Sequence, residues 1–482
     1  MSVRVDVLVV GAGLSGIDAA YRLQTECPRR DYLILEGRDT LGGTWDLFRY
    51  PGVRSDSDMF TLGFPFHPWR SRKAIASGET ILSYLRETAE HYRITDKIRY
   101  GQRVVAAHWS TEDASWTVRT ATGEEYSCRF LYLCTGYYRY SGGYDVDFPG
   151  RADFAGRIVH PQQWPADLDH EGKRVLVIGS GATAVTLVPA MAETADHVTM
   201  LQRSPTYLIK LAAGAGDGRD LSPAGARLVR SRNILGTWLL YQASRRRPER
   251  MSGFLRRQVA RELPPDVPVD PHFTPGYAPW DQRLCVVPDG DLFASMRAGK
   301  ASVVTAVIET FTEKGVRLTD GTEIEADIVV TATGLAMVTV GEIALEVDGA
   351  PIRTGDVGVY KGMMFSGVPN LAWCVGYINA SWTLRADLTS RYVCRLLNYM
   401  ARHHIEITTS TLPPGLPVVD EPLMALSSGY VRRAAAVLPR QGARRPWRTR
   451  NNYLTDLPAM RLGRIDDGHV RFARRPGRPQ GA

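Results

Sequence analysis

Several features are missing from this sequence of 482 residues, and each absence excludes a class of protein. No apolar run reaches the ~18 residues that a membrane-spanning helix needs, and no apolar stretch with a cleavage site follows the N-terminus. The six cysteines are widely spaced along the chain, so the sequence has neither a CxxC redox pair nor a zinc-binding spacing. These absences favour a cytoplasmic protein that is neither secreted nor membrane-spanning, and that has no metal site.

The composition is otherwise that of a large globular protein. A chain of this length with 44% apolar residues can bury a sizeable core, and the length suggests two to three domains. The formal net charge is +8 at pH 7. Such an excess of positive charge is compatible with binding of an anionic cofactor, with contact to a membrane surface, or with a solvated surface that has no partner. We expect no nucleic-acid partner.

The first residues show a strand, turn and helix pattern that is typical of dinucleotide binding. An apolar run at 4–10 leads through a GxGxxG turn into a helix-like segment, and the glycines of such a turn let the backbone approach a pyrophosphate at the helix N-terminus. The next apolar run ends in Glu36, 20 residues after Gly16. A carboxylate there accepts hydrogen bonds from ribose hydroxyls and repels a 2′-phosphate, so the site prefers FAD or NAD to NADP. The predicted contacts are Gly11, Gly13, Leu14, Ser15, Gly16 and Glu36.

The same pattern returns at residues 173–203. Here the strand after the helix ends in Arg203, followed by Ser204, at the position where the first unit has Glu36. A guanidinium can bind a 2′-phosphate, so this second site prefers NADPH. Two such sites indicate a tightly held flavin and an exchanging nicotinamide, although a non-catalytic flavoprotein that senses redox state would have both. The predicted turn residues are Gly179, Ser180, Gly181, Ala182 and Thr183.

Two similar strand ends indicate how the domains are arranged. The segments FLYLCTG (130–136) and IVVTATG (328–334) both close an apolar strand with Thr-Gly, as expected where a chain leaves a domain and re-enters it. We predict an α/β fold with two Rossmann-like dinucleotide-binding domains, the second inserted into the first. The predicted divisions are 1–150 for the first part of the FAD domain, 151–325 for the NADPH domain, and 326–482 for the return and C-terminal segment.

Two segments fall outside this pattern. Residues 212–270 are rich in arginine around the apolar sequence ILGTWLLY, which predicts a helical cap. Its surface is either solvated or serves as a lid or a peripheral membrane contact. The last residues, 474–482, are expected to form a frayed tail.

Residues 154–165 carry the most specific motif of the sequence. They match the pattern FxGxxxHxxxWP, with Ala166 where Asp or Gly is usual. With the segments 42–58, 277–293, 331–334 and 376–388, the chain resembles the Baeyer–Villiger monooxygenases, a family of class B flavoprotein monooxygenases, over nearly its whole length. The resemblance is greatest to the ethionamide-activating actinobacterial branch. The fingerprint residues are Phe154, Gly156, His160, Trp164 and Pro165.

The resemblance also implies the roles of individual residues. It assigns the catalytic pair to Arg283 and Asp56, which would also contact NADPH and FAD respectively. Arg283 would place a fixed positive charge beside a peroxyflavin, with Asp56 holding the guanidinium in place. Gln282 stands where some relatives have a lysine, so the NADPH preference depends more on Arg203 and Ser204. Further flavin contacts are expected from Gly43, Thr44 and Trp45, linker packing from His160 and Trp164, and substrate contacts from Asn379 and Trp382.

The implied reaction inserts one oxygen atom of O2 beside a ketone carbonyl to give an ester or lactone. Oxidation of sulfur or nitrogen in sulfides, thioamides or amines stays open, because a protonated peroxyflavin oxidises soft heteroatoms. Trp164 favours ketone oxidation, since heteroatom-oxidising relatives usually have Tyr or Phe there. A disulfide reductase is disfavoured because the sequence lacks a CxxC dithiol or an equivalent.

Overall fold

Two sheets, joined by two crossings of the chain, organise the protein. The computed structural model describes residues 3–214, 218–419, 423–424 and 426–476. Within these ranges no helix is long and apolar enough to cross a membrane.

The first part of the chain builds most of a nine-stranded sheet. Strand β1 lies between β2 and β6 and is parallel to both. Its apolar residues are buried on both faces: Val7 and Val9 belong to one core cluster and Leu8 and Val10 to another. The elements are β1 (Val3–Val10), α1 (Leu14–Glu26), β2 (Tyr32–Leu35), α2 (Thr44–Leu47), α3 (Met59–Leu62), α4 (Gly78–His91), β3 (Ile98–Arg99), β4 (Val104–Ser110), β5 (Ser115–Thr120) and β6 (Glu125–Leu133).

The middle of the chain forms a five-stranded sheet in the order β12-β9-β8-β16-β7. All its strand pairs are parallel, as expected for a doubly wound fold. The elements are β7 (Arg157–Val159), β8 (Arg174–Ile178), α5 (Ala182–Met191), β9 (His197–Gln202), β10 (Leu208–Leu211), α6 (Pro223–Arg246), α7 (Pro248–Ala260), β11 (Cys285–Pro288), α8 (Asp291–Arg297), β12 (Ala301–Thr305), β13 (Ile308–Thr312), β14 (Gly315–Leu318), β15 (Glu323–Glu325) and β16 (Ile328–Thr331).

The last part of the chain returns to the first sheet, where β17 pairs with β4 and β21 with β6. The long helix α9 packs on α1, and Asp387 accepts a hydrogen bond from Nε of Arg22 at 2.8 Å. The elements are β17 (Ala344–Val347), β18 (Ala350–Ile352), β19 (Val359–Tyr360), β20 (Met364–Phe365), β21 (Leu371–Trp373), α9 (Trp382–Arg402), β22 (Ile407–Ser410), β23 (Val418–Val419), α10 (Gly429–Ala434), β24 (Gln441–Gly442), α11 (Tyr453–Arg461) and β25 (Val470–Ala473).

The predicted fold class is confirmed, with one boundary corrected. The sequence predicts that residues 328–331 belong to the returning FAD domain, but as strand β16 they lie between β7 and β8 in the second sheet. The chain therefore crosses back after Thr331 rather than at 325. The apolar run at 328–331 could not distinguish the two sheets, because a buried parallel strand looks the same in either.

Helices α6 and α7 form the expected helical insertion. They lie between β10 and β11, which pair with each other in parallel. Residues 215–217, within the predicted segment, lie outside the described residues, as do 477–482 of the predicted tail. Within that predicted tail, the backbone N–H of Arg475 donates to the Glu406 carboxylate at 3.0 Å.

Candidate active site

The first glycine turn joins β1 to α1 in a shape that only glycine permits. Gly11 has φ +104°, and a Cβ there would lie 2.6 Å from the carbonyl oxygen of Cys134. A Cβ at Gly16 would lie 1.9 Å from the carbonyl oxygen of Gly11. No acidic side chain lies in the first turn of α1, so no carboxylate of that turn competes for the positive end of the helix. The turn thus offers backbone N–H groups to a phosphate.

A second glycine loop closes on the first. A Cβ at Gly43 would lie 3.0 Å from the Cα of Gly13, so the two loops touch through backbone alone. Thr44 and Trp45 follow in α2, and the half-buried Trp45 packs against the first-domain core. These predicted flavin residues are therefore brought beside the first phosphate turn.

Glu36 is buried at the end of β2 and holds the first turn. Its Oε2 accepts the N–H of Ala12 at 2.7 Å, and its Oε1 accepts the N–H of Arg38 at 2.9 Å. Burial raises the pKa of this carboxyl, and the two backbone hydrogen bonds oppose that rise. Each oxygen keeps a lone pair for a further donor, as binding to ribose hydroxyls requires.

The second turn, between β8 and α5, differs in what its glycines contact. Gly179 has φ +143°, and a Cβ there would lie 2.4 Å from the carbonyl oxygen of Ala332. A Cβ at Gly181 would meet no protein atom within 4 Å. The protein itself therefore does not require glycine at 181, whereas a phosphate lying against the turn would.

The predicted 2′-phosphate residues lie beside this turn. Ser180 Oγ donates to the carbonyl oxygen of Ser204 at 2.8 Å, which ties the turn to the end of β9. Arg203 and Ser204 are exposed, and Arg203 has no ion-pair partner among the described residues. Its guanidinium is therefore available to an anion.

The loop after α2 carries Asp56 to the second domain. Tyr50 hydrogen-bonds Thr183 of the second turn, and Arg54 pairs with Asp291 of α8. The carboxyl of Asp56 is half-buried. Burial raises its pKa to about 6, against the opposing effects of Arg283 and Arg54. Asp56 therefore lies within electrostatic reach of two arginines.

Arg283 lies just ahead of β11, in a cluster of tyrosines. Burial lowers the pKa of its guanidinium, but the neighbouring Tyr137, Tyr430, Tyr138 and Asp56 together raise it above its ordinary value. Its Nε is buried and has no hydrogen-bond partner within the described part of the chain. The group thus stays charged and keeps a donor for a ligand.

The expectation that Asp56 directly holds the Arg283 guanidinium is wrong in this structure. Among the described residues no ion pair within 4 Å joins the two. Arg283 and Arg54 both stabilise the Asp56 carboxylate electrostatically, Arg283 more strongly, without such direct contact. The sequence signal for a second cation near Asp56 was Arg54, which stands only two residues before it.

A chain of aromatic contacts links the first phosphate turn to Arg283. The Nε1 of Trp382 donates to Ser15 Oγ at 2.8 Å, and the Trp382 ring stacks on Tyr137 with a centroid distance of 4.9 Å. Tyr137 and Tyr138 are hydrogen-bonded through their hydroxyls. Sequence analysis missed both tyrosines, although they directly follow the Thr-Gly that ends the first domain's central strand, and it missed Tyr430. The other predicted substrate residue, Asn379, donates to the carbonyl oxygen of Asn451 at 2.9 Å, and its Oδ1 is buried without a partner in the described structure.

The fingerprint residues lie at the crossings between the domains. His160 accepts the N–H of Gln162 through Nδ1 at 3.2 Å, so its Nε2 carries the proton that faces the carbonyl oxygen of Gly334 at 3.3 Å. Burial lowers its pKa. A Cβ at Gly143 would lie 2.0 Å from the imidazole, so His160 touches both crossings. This placement supports a linker role and not acid–base work.

The other fingerprint residues anchor the same region. Phe154 is buried in a core cluster with Phe311, and a Cβ at Gly156 would lie 2.5 Å from the carbonyl oxygen of Asp327. Trp164 is half-buried against the second-domain core and is followed by Pro165. The fingerprint therefore surrounds the linker between the two domains.

The structure pairs cysteines that are distant in sequence. Cys134 and Cys374 follow the adjacent strands β6 and β21, and each thiol shifts the pKa of the other. Cys27 and Cys394 also touch, with the Cys27 thiol 3.5 Å from the Cys394 carbonyl oxygen. All are free and buried. Buried thiols of this kind are not the accessible dithiol that a disulfide reductase uses, so these contacts do not revive that class.

Comparisons with known proteins agree with this site. Residues 8–210, which include both glycine turns, match a family described as pyridine nucleotide-disulphide oxidoreductase. The chain is 50% identical over 485 residues to the FAD-containing monooxygenase EthA of Mycobacterium tuberculosis, covering 99% of both chains, and 49% identical to MymA of the same species, covering 98% of both. It shares the fold of the NADP⁺-bound cyclohexanone monooxygenase of Rhodococcus sp. Phi1, with a TM-score of 0.69 at 22% identity over 85% of this chain and 87% of that one.

The residues present fit the two cofactors of such an enzyme. The glycine cradle at Gly11 and Gly16, with Glu36, suits FAD. The open turn at Gly181 suits NADPH, together with Arg203, which has no ion-pair partner in the part of the chain that the structure describes. The alternative of a non-catalytic redox sensor is excluded by the identity to monooxygenases along the whole chain. The protein therefore belongs to the FAD-containing monooxygenases, the family of EthA, and is an NADPH-dependent flavoenzyme.

Proposed function

We propose that this enzyme is a Baeyer–Villiger monooxygenase. A ketone, O2, NADPH and a proton would give an ester or lactone, NADP⁺ and water. One oxygen atom enters the bond between the carbonyl carbon and its neighbour, and the other leaves in the water. Bound FAD, reduced by NADPH, supplies the activation of dioxygen.

The observation that carries this proposal is the environment of Arg283. Addition of oxygen to a ketone builds negative charge on the carbonyl oxygen, and a fixed cation there stabilises that charge. The Arg283 guanidinium remains charged, and its Nε has no protein acceptor in the described structure. Arginine suits this role because it does not lose its proton at any pH of interest.

The charge of Asp56 acts electrostatically on the Arg283 guanidinium. With a pKa of about 6 this carboxyl is mostly ionised at neutral pH, so the group around Arg283 carries a compensating negative charge. Arg54, which pairs with Asp291, also attracts the Asp56 carboxylate, and among the described residues no ion pair within 4 Å joins Asp56 to Arg283. Arg283 is thus left with open donors, which a ketone oxygen or the cofactor can accept.

The tyrosines and Trp382 limit access of water to Arg283. Tyr137 is buried and stacks on Trp382, which is itself fixed by its hydrogen bond to Ser15. Tyr430 reaches the same cluster from α10. An apolar wall strengthens the electrostatic effect of the guanidinium and protects reactive oxygen species from water.

Oxidation of sulfur in thioamides or sulfides is the second candidate. It is favoured by the 50% identity to EthA, since the sequence resembles the ethionamide-activating branch. Such an oxidation does not develop charge on a carbonyl oxygen, so it depends less on Arg283. The two functions therefore differ in their sensitivity to substitution of one residue.

The test begins with the purified flavoprotein mixed with NADPH without oxygen, followed by air and 2-octanone. Flavin bleaching and an ester one oxygen atom heavier than the ketone, detected by mass spectrometry, are expected. Bleaching with hydrogen peroxide and no ester, over a panel of linear and cyclic ketones, would contradict ketone oxidation. Product formation from a sulfide or thioamide would then favour the second candidate.

Substitutions at Arg283 sharpen this test. Arg283→Ala should retain flavin reduction by NADPH but form no ester, and Arg283→Lys should recover a small part of the yield. The matched control is Arg464→Ala, which removes an exposed arginine. Normal ester yield in Arg283→Ala would refute the assigned role.

A further inference from the structure

The positive charge of this chain is concentrated in the helical insertion. Residues 221–261 contain ten arginines and one glutamate, with no lysine or histidine, a net charge of +9. The whole chain carries +8, so the remaining residues carry −1. Helices α6 and α7 make up most of this segment. The excess is therefore a property of one helix pair and not of the surface as a whole.

One face of α6 is fixed to the body of the protein. Arg230 donates to the carbonyl oxygens of Phe60 at 2.7 Å and Gly63 at 2.6 Å, and Asn233 donates to Asp58 at 2.9 Å. These positions, three residues apart, lie on one side of the helix. That side is therefore not free to rotate outward.

The opposite face of α6 exposes a stripe of leucines. Leu228 is 72% exposed, Leu235 48% and Leu239 52%. Their spacing of seven and four residues aligns them within about 40° around the helix, about 180° from Arg230. Arg232 and Arg246 lie on the same stripe and are exposed. We call this face, Leu228, Arg232, Leu235, Leu239 and Arg246, the leucine–arginine stripe.

We propose that the leucine–arginine stripe docks the enzyme on an anionic lipid surface. The helix would lie flat, with the leucines in the boundary between head groups and acyl chains and the arginines on lipid phosphates. α6 has 24 residues, about 36 Å of helix along the surface. Each arginine can bind phosphate through two N–H groups, and none of the described acids pairs with Arg232 or Arg246.

Other occupants fit this face less well. A second copy of the chain would bring two helix pairs of +9 together, which repel each other. A nucleic acid would satisfy the arginines but leave three leucines in water. A lipid surface alone matches both the apolar stripe and the charge around it.

The insertion also reaches the candidate active site. Tyr241 of α6 contacts Trp280 at a centroid distance of 5.5 Å, three residues before Arg283. Docking would therefore bring this region close to the bilayer, where apolar substrates collect. The docking proposal does not depend on the proposed function, because it concerns the surface of the insertion.

The experiment is flotation of the FAD-loaded enzyme with vesicles of phosphatidylcholine alone or with 30% phosphatidylglycerol. We expect binding to the anionic vesicles only, weakened at least tenfold in high salt. The triple variant Leu228→Ser, Leu235→Ser, Leu239→Ser should bind at least about thirtyfold more weakly, since about half or more of each leucine is exposed and can be buried on docking. The double variant Arg232→Gln, Arg246→Gln should lower the affinity for the anionic vesicles by a larger factor at low salt than at high salt.

A matched control separates docking from general exposure of leucine. Leu462→Ser removes a leucine that is 81% exposed after α11, and it should bind vesicles like the wild type. Flavin content and NADPH oxidation should be unchanged in all variants. No flotation of the wild type at low salt would overturn the proposal. The proposal would also be overturned if the wild type formed an oligomer that dissociates in the triple variant. Binding to RNA that is stronger than binding to vesicles would overturn it as well.

Discussion

The ionisation of Asp56 offers a quantitative test of the candidate site. Burial raises the pKa of this carboxyl to about 6 in the folded protein, against an ordinary value of 3.8. The native state therefore binds a proton more tightly than the unfolded state does. This contribution to stability is complete below pH 3.8 and is lost as pH rises through 6, so at higher pH the ionised carboxylate destabilises the fold.

The size of the effect follows from the shift. A pKa raised from 3.8 to about 6 corresponds to at most about 3 kcal/mol at pH 7.5, and to about half of that at pH 5. Solvent screening of the half-buried carboxylate reduces both values. Asp56→Asn removes the ionisation, so it should stabilise the enzyme at both pH values and more at pH 7.5.

The assay is urea unfolding of the FAD-loaded wild type and Asp56→Asn at the two pH values. The gain in the free energy of unfolding should be larger at pH 7.5 than at pH 5, by up to about 1 kcal/mol. Oxygenated product per NADPH should also change near pH 6 in the wild type and not in the variant, because the charge beside Arg283 no longer titrates. An equal gain at both pH values would refute the raised pKa, and an unaltered pH profile of product yield would refute its link to Arg283.

Three further predictions concern the cofactor turns. Gly179→Ala should destabilise the protein because its Cβ meets the Ala332 backbone, whereas Gly181→Ala should keep the fold and raise the KM for NADPH. Thermal unfolding measures the first effect and steady-state kinetics the second. An equal loss of stability in both variants would contradict the predicted difference. Arg203→Gln should raise the KM for NADPH by about tenfold or more and leave that for NADH nearly unchanged, since only NADPH has the 2′-phosphate. Trp382→Phe keeps a ring on Tyr137 but loses the hydrogen bond to the first turn, so it should release more hydrogen peroxide per NADPH, measured with a peroxidase assay; unchanged coupling would remove Trp382 from the site.

The two cofactor turns could be predicted because their chemistry is local. The glycines at Gly11 and Gly179 are required by positive φ and by one close backbone neighbour, and both requirements follow from a strand passing directly into a helix. Glu36 and Arg203 occupy equivalent positions at the end of the next strand, so their difference could be interpreted without a structure.

The surroundings of Arg283 could not be predicted in the same way. Tyr137, Tyr430 and Asp56 come from three segments that are distant from one another in the chain, and no periodic pattern connects them. The pairing of Cys134 with Cys374 depends on β21 joining the first sheet beside β6, which the short run Leu371–Trp373 does not reveal. Contacts set by tertiary pairing leave little signal in a single sequence.

The central position of β16 has a consequence for synthesis of the protein. This strand separates β8 from β7 in the second sheet, yet it leaves the ribosome after every other strand of that sheet. Until then β7 has no neighbour, and the edge of β8 is open to wrong partners. The first sheet is completed later still, because β21, which pairs with β6, is synthesised after β16. A nascent chain that ends before β16 would therefore carry two incomplete sheets.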